Sequence, residues 1–218
     1  MSTQQVRHFI YRKFADSGRA PTLAEFESEF DFSPDEIKEA LTILAETKHI
    51  VLNDDFEILM AHPFSAVPLG FSVMGAKTLW WGGCSWDSFA LPNLLKEEVV
   101  VATTCLNCGT AHAWRVDPET PPQGDHVAHF LIPTKQMWAD VVHTCGNQRI
   151  FCSKNCLDQW LLKTNNQFGY AMNLSTLWAL ASHWYDGRLD LDYQRRDPST
   201  ASEYFKKVGL SGSFWGLD

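Results

Sequence analysis

Apolar and polar positions along the chain change period near residue 60. Before that point, Val6, Phe9, Ile10 and Phe14 recur near helical spacing and predict a helix from about Thr3 to Ser17. Gly18 supplies a C-terminal stop. Thr22-Leu23-Ala24-Glu25 has the form of a capping box and opens a second, short helix. Ser33 is placed as the N-cap of a third, with Pro34 at its first helical position and Ile37, Leu41 and Leu44 as its apolar face. Ile50-Val51-Leu52 and Phe56 to Met60 flank Asn53-Asp54-Asp55 and read as a β-hairpin. Three short helices and a hairpin predict a winged-helix-like N-terminal module over residues 1–62.

The remainder, 63–218, alternates short strands with short helices. His62 to Pro68 reads as a stiff, proline-bounded linker. Strands are predicted at Phe71 to Met74, Thr78 to Trp81, Val99 to Thr103, Thr110 to Val116, His126 to Ile132 and Arg149 to Phe151. A helix starts near Cys84, with Pro92 expected to kink or interrupt it. Helices are expected at Ser153 to Leu162 and Leu174 to Tyr185, and Trp138 to Val142 fits either a helix or a strand. Asp186 to Asp192, with Arg188 inside, is expected to be solvated, and the last stretch is polar and weakly patterned. The fold class is α+β, with a mixed or antiparallel sheet and short helices.

Charge limits the reading of the N-terminal module. The chain carries 18 Lys+Arg against 26 Asp+Glu, a formal net charge of -8. Its third helix holds Asp35, Glu36, Glu39 and Glu46 against Lys38 and Lys48, which is unsuited to a helix facing phosphates. Packing is therefore expected of the module, and nucleic acid is not an expected partner. Residues 1–14 contain no long apolar run, and no stretch approaches about 18 apolar residues, so neither a secretory signal nor a membrane span is expected. The expected setting is a reducing cytoplasm, where free thiols serve as metal ligands or catalysts more often than as disulfides.

The chain has six cysteines: Cys84, Cys105, Cys108, Cys145, Cys152 and Cys156. Cys105-x2-Cys108-Gly109 and Cys152-x3-Cys156 offer two half-sites, from which four thiolates could hold zinc tetrahedrally in a treble-clef-like arrangement. Cys84 follows Gly82-Gly83 and begins a helix, whose N-terminus favours thiolate. Asp87 lies one turn later on the same face. A wall of Trp81, Trp86 and Phe89 would desolvate Asp87 and favour its protonated form. A thiolate beside a proton donor in an apolar pocket forms a reactive pair. Among His112, His126, His129 and His143, any could serve a nearby cysteine, although an ordinary core or surface role is commoner for each.

At these residues the chain resembles the alkylmercury lyases. Cys84-Ser85-Trp86-Asp87 is similar to that family's C-x-x-D, with Pro92 following at the matching place, and Cys105 is similar to a family cysteine of structural role. Cys145, shortly before Ile150-Phe151-Cys152-Ser153, is the better match to the second catalytic cysteine, with Cys152 as the runner-up. The resemblance spans roughly residues 75 to 160, and the helical N-terminal part also looks like that family's architecture. It implies protonolysis of a carbon–mercury bond. Cys84 and Cys145 would chelate mercury, a soft metal that selects sulfur. Asp87 would protonate the departing carbon, leaving Hg(II) as bound product for an external thiol acceptor, with no organic cofactor. Cys105, Cys108, Cys152 and Cys156 could hold structural zinc beside that chemistry. Two other classes compete: a non-enzymatic zinc-binding protein or metal-responsive regulator, and a lyase-fold enzyme with a different substrate.

Overall fold

The computed structural model describes residues 2–217. The local signals of the N-terminal part act where expected. Helix α1 (Thr3–Ser17) stops where Gly18 adopts a left-handed φ of 72° and donates its N–H to Phe14 O. Helix α2 (Leu23–Glu29) is capped by Thr22, and α3 (Pro34–Glu46) by Ser33. In both, the capping side chain accepts the N–H of a glutamate that reaches back to the cap. Val6, Ile10, Phe14, Ile37, Leu41 and Leu44 are buried together.

Strands β1 (Val51–Leu52) and β2 (Ile58–Ala61) form the expected hairpin. The linker expected at 62–68 is not a linker. Phe64–Ser65 forms β3, which pairs with β2 on one side and with β5 (Leu79–Gly82) on the other. Phe64 is wholly buried and stacks on Phe14, 5.7 Å between centroids, so burial of this ring draws the already extended, proline-flanked segment into the sheet. Strands β4 (Phe71–Met74), β6 (Val99–Thr104) and β7 (Ala111–Val116) complete an antiparallel seven-stranded sheet ordered β1-β2-β3-β5-β4-β6-β7.

Helix α4 (Ser85–Leu95) lies against β4, β5 and β6 of this sheet. Every residue from Ser85 to Asn93 is buried, so α4 is an interior helix with no solvent face. It continues through Pro92 without interruption. An interior proline costs about 3 kcal/mol, and packing on all sides of α4 offsets it.

The chain then enters a second antiparallel sheet, ordered β10-β8-β9, from β8 (Val127–Phe130), β9 (Gln148–Phe151) and β10 (Tyr170–Asn173). The undecided region near Trp138 resolves into a 3-10 turn at Thr134–Gln136 and helix α5 (Val141–Gly146). Helix α6 (Lys154–Thr164) follows β9, and α7 (Leu174–Ser182) packs along α4. The weakly patterned end holds helix α8 (Pro198–Lys207), capped by Asp197, and a 3-10 turn at Ser213–Trp215. The fold is α+β with antiparallel sheets. Among the described residues, no helix is long and apolar enough to cross a membrane.

Candidate active site

Cys84 is the N-cap of α4, and its Sγ accepts the Asp87 N–H at 3.4 Å. The same turn brings Sγ to 3.1 Å from Asp87 Oδ2. Gly83 makes this possible: a Cβ there would collide with Asp87 Oδ2 and with Met60 Cε. The cap places both groups at the floor of a cavity of about 540 Å³. Helix α5 delivers Cys145 to the same point, with its Sγ 3.9 Å from Asp87 Oδ2. Cys84, Asp87 and Cys145 are all nearly closed to solvent, at 2%, 1% and 4% exposure.

Two further residues complete the cluster. His62, at the end of the supposed linker, sets Nε2 3.5 Å from Cys145 Sγ. Tyr185, just beyond α7, donates its hydroxyl to Asp87 Oδ1 at 2.5 Å. Neither was singled out from the sequence. Tyr185 counted only as the last position of a helical stripe, and His62 sits in a segment with no periodic signal.

The electrostatics separate the two thiols. Burial, the hydrogen bond to Cys145 and the nearby Asp87 push the Cys84 thiol well above its usual range, reversing the depression expected from its helix N-terminus. Cys145 moves down: the hydrogen bond from Cys84 favours its thiolate, and His62 adds a further bond and charge that outweigh burial. Burial alone would lower His62, but the Asp87 charge and the bond to Cys145 raise it. Tyr185 is held well above the usual phenol range by burial and then by Asp87, so it keeps its proton and acts as a donor. These opposite shifts favour charge separation between Cys145 and His62, beside a Cys84 thiol directed at Asp87.

The cavity wall differs from the one expected. Trp81 is 36% exposed, because β5 alternates and turns Trp80, not Trp81, inward. Phe89 is buried away from the cavity lining. Trp86 does line it, joined by Trp184, Phe205 and Trp215 from the C-terminal segments. Trp86 and Trp184 lie 4.9 Å apart, and Trp184 stacks on Phe205 at 5.1 Å. Arg188 is 5% exposed rather than solvated. Its guanidinium lies over the rings of Tyr185 and Tyr193, and it donates to Tyr11 Oη at 3.1 Å. Arg7 of α1 donates to the Arg188 carbonyl at 2.8 Å and to that of Asp190. Helix α1 thereby anchors the turn that carries Tyr185.

The other four cysteines gather elsewhere. The sulfurs of Cys105, Cys108, Cys152 and Cys156 all lie within 4.8 Å of one another. Cys152 thus joins this cluster, while Cys145 stands with Cys84 and Asp87. All six cysteines are free thiols. His112 reaches Cys152 Sγ at 3.2 Å, and His126 reaches His112 at 3.1 Å. His129 is buried in the smaller sheet, accepting the Gly169 N–H, and His143 is exposed.

The first cluster offers two sulfurs shifted in opposite directions, a carboxylate within reach of both, and a cavity with an aromatic wall. It suits a soft metal bound to an organic group. The family model described as MerB, alkylmercury lyase, matches residues 64–186. A solved structure described as the mercury-bound form of MerB2 is similar in fold, with a TM-score of 0.68 and 18% identity, over 86% of this chain and 91% of that one. No curated protein matches the chain.

Proposed function

The chain belongs to the alkylmercury lyase family, and on that premise we propose that Cys145, Cys84 and Asp87 carry out protonolysis of a carbon–mercury bond. The observation that carries this assignment is Asp87 Oδ2 lying within 3.1 Å of one sulfur and 3.9 Å of the other.

The Cys145 thiolate is the first nucleophile. It attacks mercury in R–Hg–X and displaces X⁻, forming R–Hg–S. Cys84 then passes its thiol proton to Asp87 and binds mercury as a second thiolate. Two sulfur donors raise the electron density on the metal and weaken its bond to carbon. Asp87, now protonated, delivers that proton to the carbon. R–H leaves, Hg(II) remains on Cys84 and Cys145, and Asp87 returns to carboxylate. The proton on the product therefore comes from Cys84 by way of Asp87, and the charges balance. Two external thiols, one of them as thiolate, take Hg(II) as a dithiolate and return one proton to Cys84, which restores the starting state. Tyr185 orients the carboxylate through Oδ1, leaving Oδ2 free to move the proton. The wall of Trp86, Trp184, Phe205 and Trp215 accepts the organic group and keeps water from the reacting atoms.

Residues 1–62 are read as a winged-helix-like segment whose role is packing. Arg7 and Tyr11 of α1 brace the turn that carries Tyr185. Free catalytic thiols suit a reducing, cytoplasmic setting.

The test is hydrocarbon release from phenylmercuric acetate with excess thiol. Benzene is expected from the wild type, and none from Cys84→Ala or Cys145→Ala. The reverse pattern, with release kept in Cys145→Ala and lost in Cys152→Ala, would refute the assignment of the second thiol.

A further inference from the structure

We propose that Cys105, Cys108, Cys152 and Cys156 bind one structural Zn(II) ion that ties the two sheets together. A tetrahedral zinc tetrathiolate has Zn–S bonds of about 2.3 Å, which places its sulfurs about 3.8 Å apart. The Cys108 and Cys152 sulfurs are 3.3 Å apart, those of Cys108 and Cys156 3.9 Å, and no pair of the four exceeds 4.8 Å. A disulfide requires about 2.05 Å, so these separations fit the edges of a metal tetrahedron and not S–S bonds.

Local structure prepares each half-site. Cys105 donates its N–H to Thr110 O and accepts the Gly109 N–H, both at 2.9 Å, which closes a tight loop after β6. Gly109 sits at φ +73°, a conformation that permits this turn. The second pair straddles the start of α6, whose N-terminus carries partial positive charge and whose cap Ser153 accepts the Cys156 N–H at 3.3 Å. Further donors face the sulfurs: Thr110 Oγ1 lies 3.2 Å from Cys108 Sγ, and His112 Nε2 lies 3.2 Å from Cys152 Sγ. His126 in turn approaches His112 Nδ1 through Nε2 at 3.1 Å. With His126 as donor in that contact, His112 would turn its Nε2 proton toward sulfur, the outer-shell support a tetrathiolate of net charge −2 calls for.

The fold needs a staple at this place. The apolar cluster beneath it holds only Cys105, Phe151, Leu157, Trp160 and Leu161 as buried members, separate from the main core. So small a cluster stabilises little without a cross-link. The metal joins the β6–β7 turn of the large sheet to the end of β9 in the small one. The start of β9 follows α5, which carries Cys145. Zinc at one end of β9 therefore positions the helix that presents the second catalytic thiol at the other.

The chain purified without chelator is expected to contain one zinc per molecule before any contact with mercurials. Stripped and reduced protein is expected to take up Co(II) with the absorption bands of tetrahedral thiolate coordination, and to melt at a higher temperature when zinc is restored. Cys108→Ser with Cys156→Ser is expected to lose the metal. Metal-free protein that binds neither ion under reducing conditions would overturn the proposal, as would alkylation mass spectrometry finding these cysteines in disulfides. Stoichiometric iron with visible colour would overturn the choice of zinc. None of these readouts depends on turnover, so they stand apart from the outcome at Cys84 and Cys145.

Discussion

Asp87→Asn isolates the proton-transfer step. Asparagine keeps an oxygen to accept the Tyr185 hydroxyl and preserves the volume beneath Gly83, so folding stability is expected to stay within about 1 kcal/mol of the wild type. It cannot take the Cys84 proton or give one to carbon. Among the described residues that line the cavity, Asp87 is the only carboxylate, and Tyr185 holds its proton too tightly to replace it. A positioned general acid contributes about 10²- to 10⁴-fold. Loss of Asp87 is therefore expected to raise the barrier by about 2.7 to 5.4 kcal/mol. First capture of the mercurial should survive, because Cys145 is lowered by its bonds from Cys84 and His62 and not by Asp87. The assay is single-turnover hydrocarbon release by gas chromatography, set beside thiol-competed Hg(II) binding. A variant that still captures the mercurial through Cys145 and releases hydrocarbon at least 10²-fold more slowly is the expected result. Release within about tenfold of the wild type would refute the assignment of Asp87 as proton carrier.

Two further outcomes follow from other residues. The Cys145 thiolate is present above its lowered pKa and lost as pH falls through it, so activity should show an acid limb below the usual thiol range; His62→Ala removes one source of that lowering and should move the limb to higher pH, and an unmoved limb in a pH–rate profile would count against the His62–Cys145 pair. Burial lowers His129 from 6.5 to about 4, and its Nε2 is occupied in accepting the Gly169 N–H. Its folded pKa lies below the unfolded one, so this contribution is complete above about pH 6.5 and lost as pH falls toward 4, a change of about 3 kcal/mol. Urea midpoints at pH 7 and pH 4.5 should show it, and an unchanged difference in His129→Gln would exclude His129 as the source.

What could be read from the sequence was local. The caps Thr22 and Ser33, the stop at Gly18 and the i, i+3 placement of Cys84 and Asp87 are each set within a few residues, and the structure has them. The encounter of Cys145 with Asp87 joins positions 58 apart, which no period encodes; only the family resemblance pointed to it. His62 and Tyr185 had no such guide. The tryptophans show the same division. Trp81 was adjacent to Cys84 in sequence but faces outward, while Trp184 and Trp215 reach the cavity by the return of the chain. Pro92 does not interrupt α4, because packing around the helix, which local sequence does not encode, offsets its cost. Helix α8 did carry a signal, Asp197 followed by Pro198, in the N-cap and first-position arrangement already recognised at Ser33-Pro34.

Strand β3, two residues long, also protects the large sheet from unwanted partners. Without β2 against it, the row of backbone donors and acceptors on β3 would stand open beside buried Phe64, a template for another chain. The N-terminal hairpin covers that row. The border then passes to β1, which has only Val51 and Leu52 and an irregular register against β2. A short, uneven edge offers little to a foreign strand. At the opposite border, β7 carries Arg115, a charge that discourages stacking of a second sheet. The N-terminal segment thus both steadies Tyr185 behind Asp87 and helps keep the enzyme from aggregating through its own sheet.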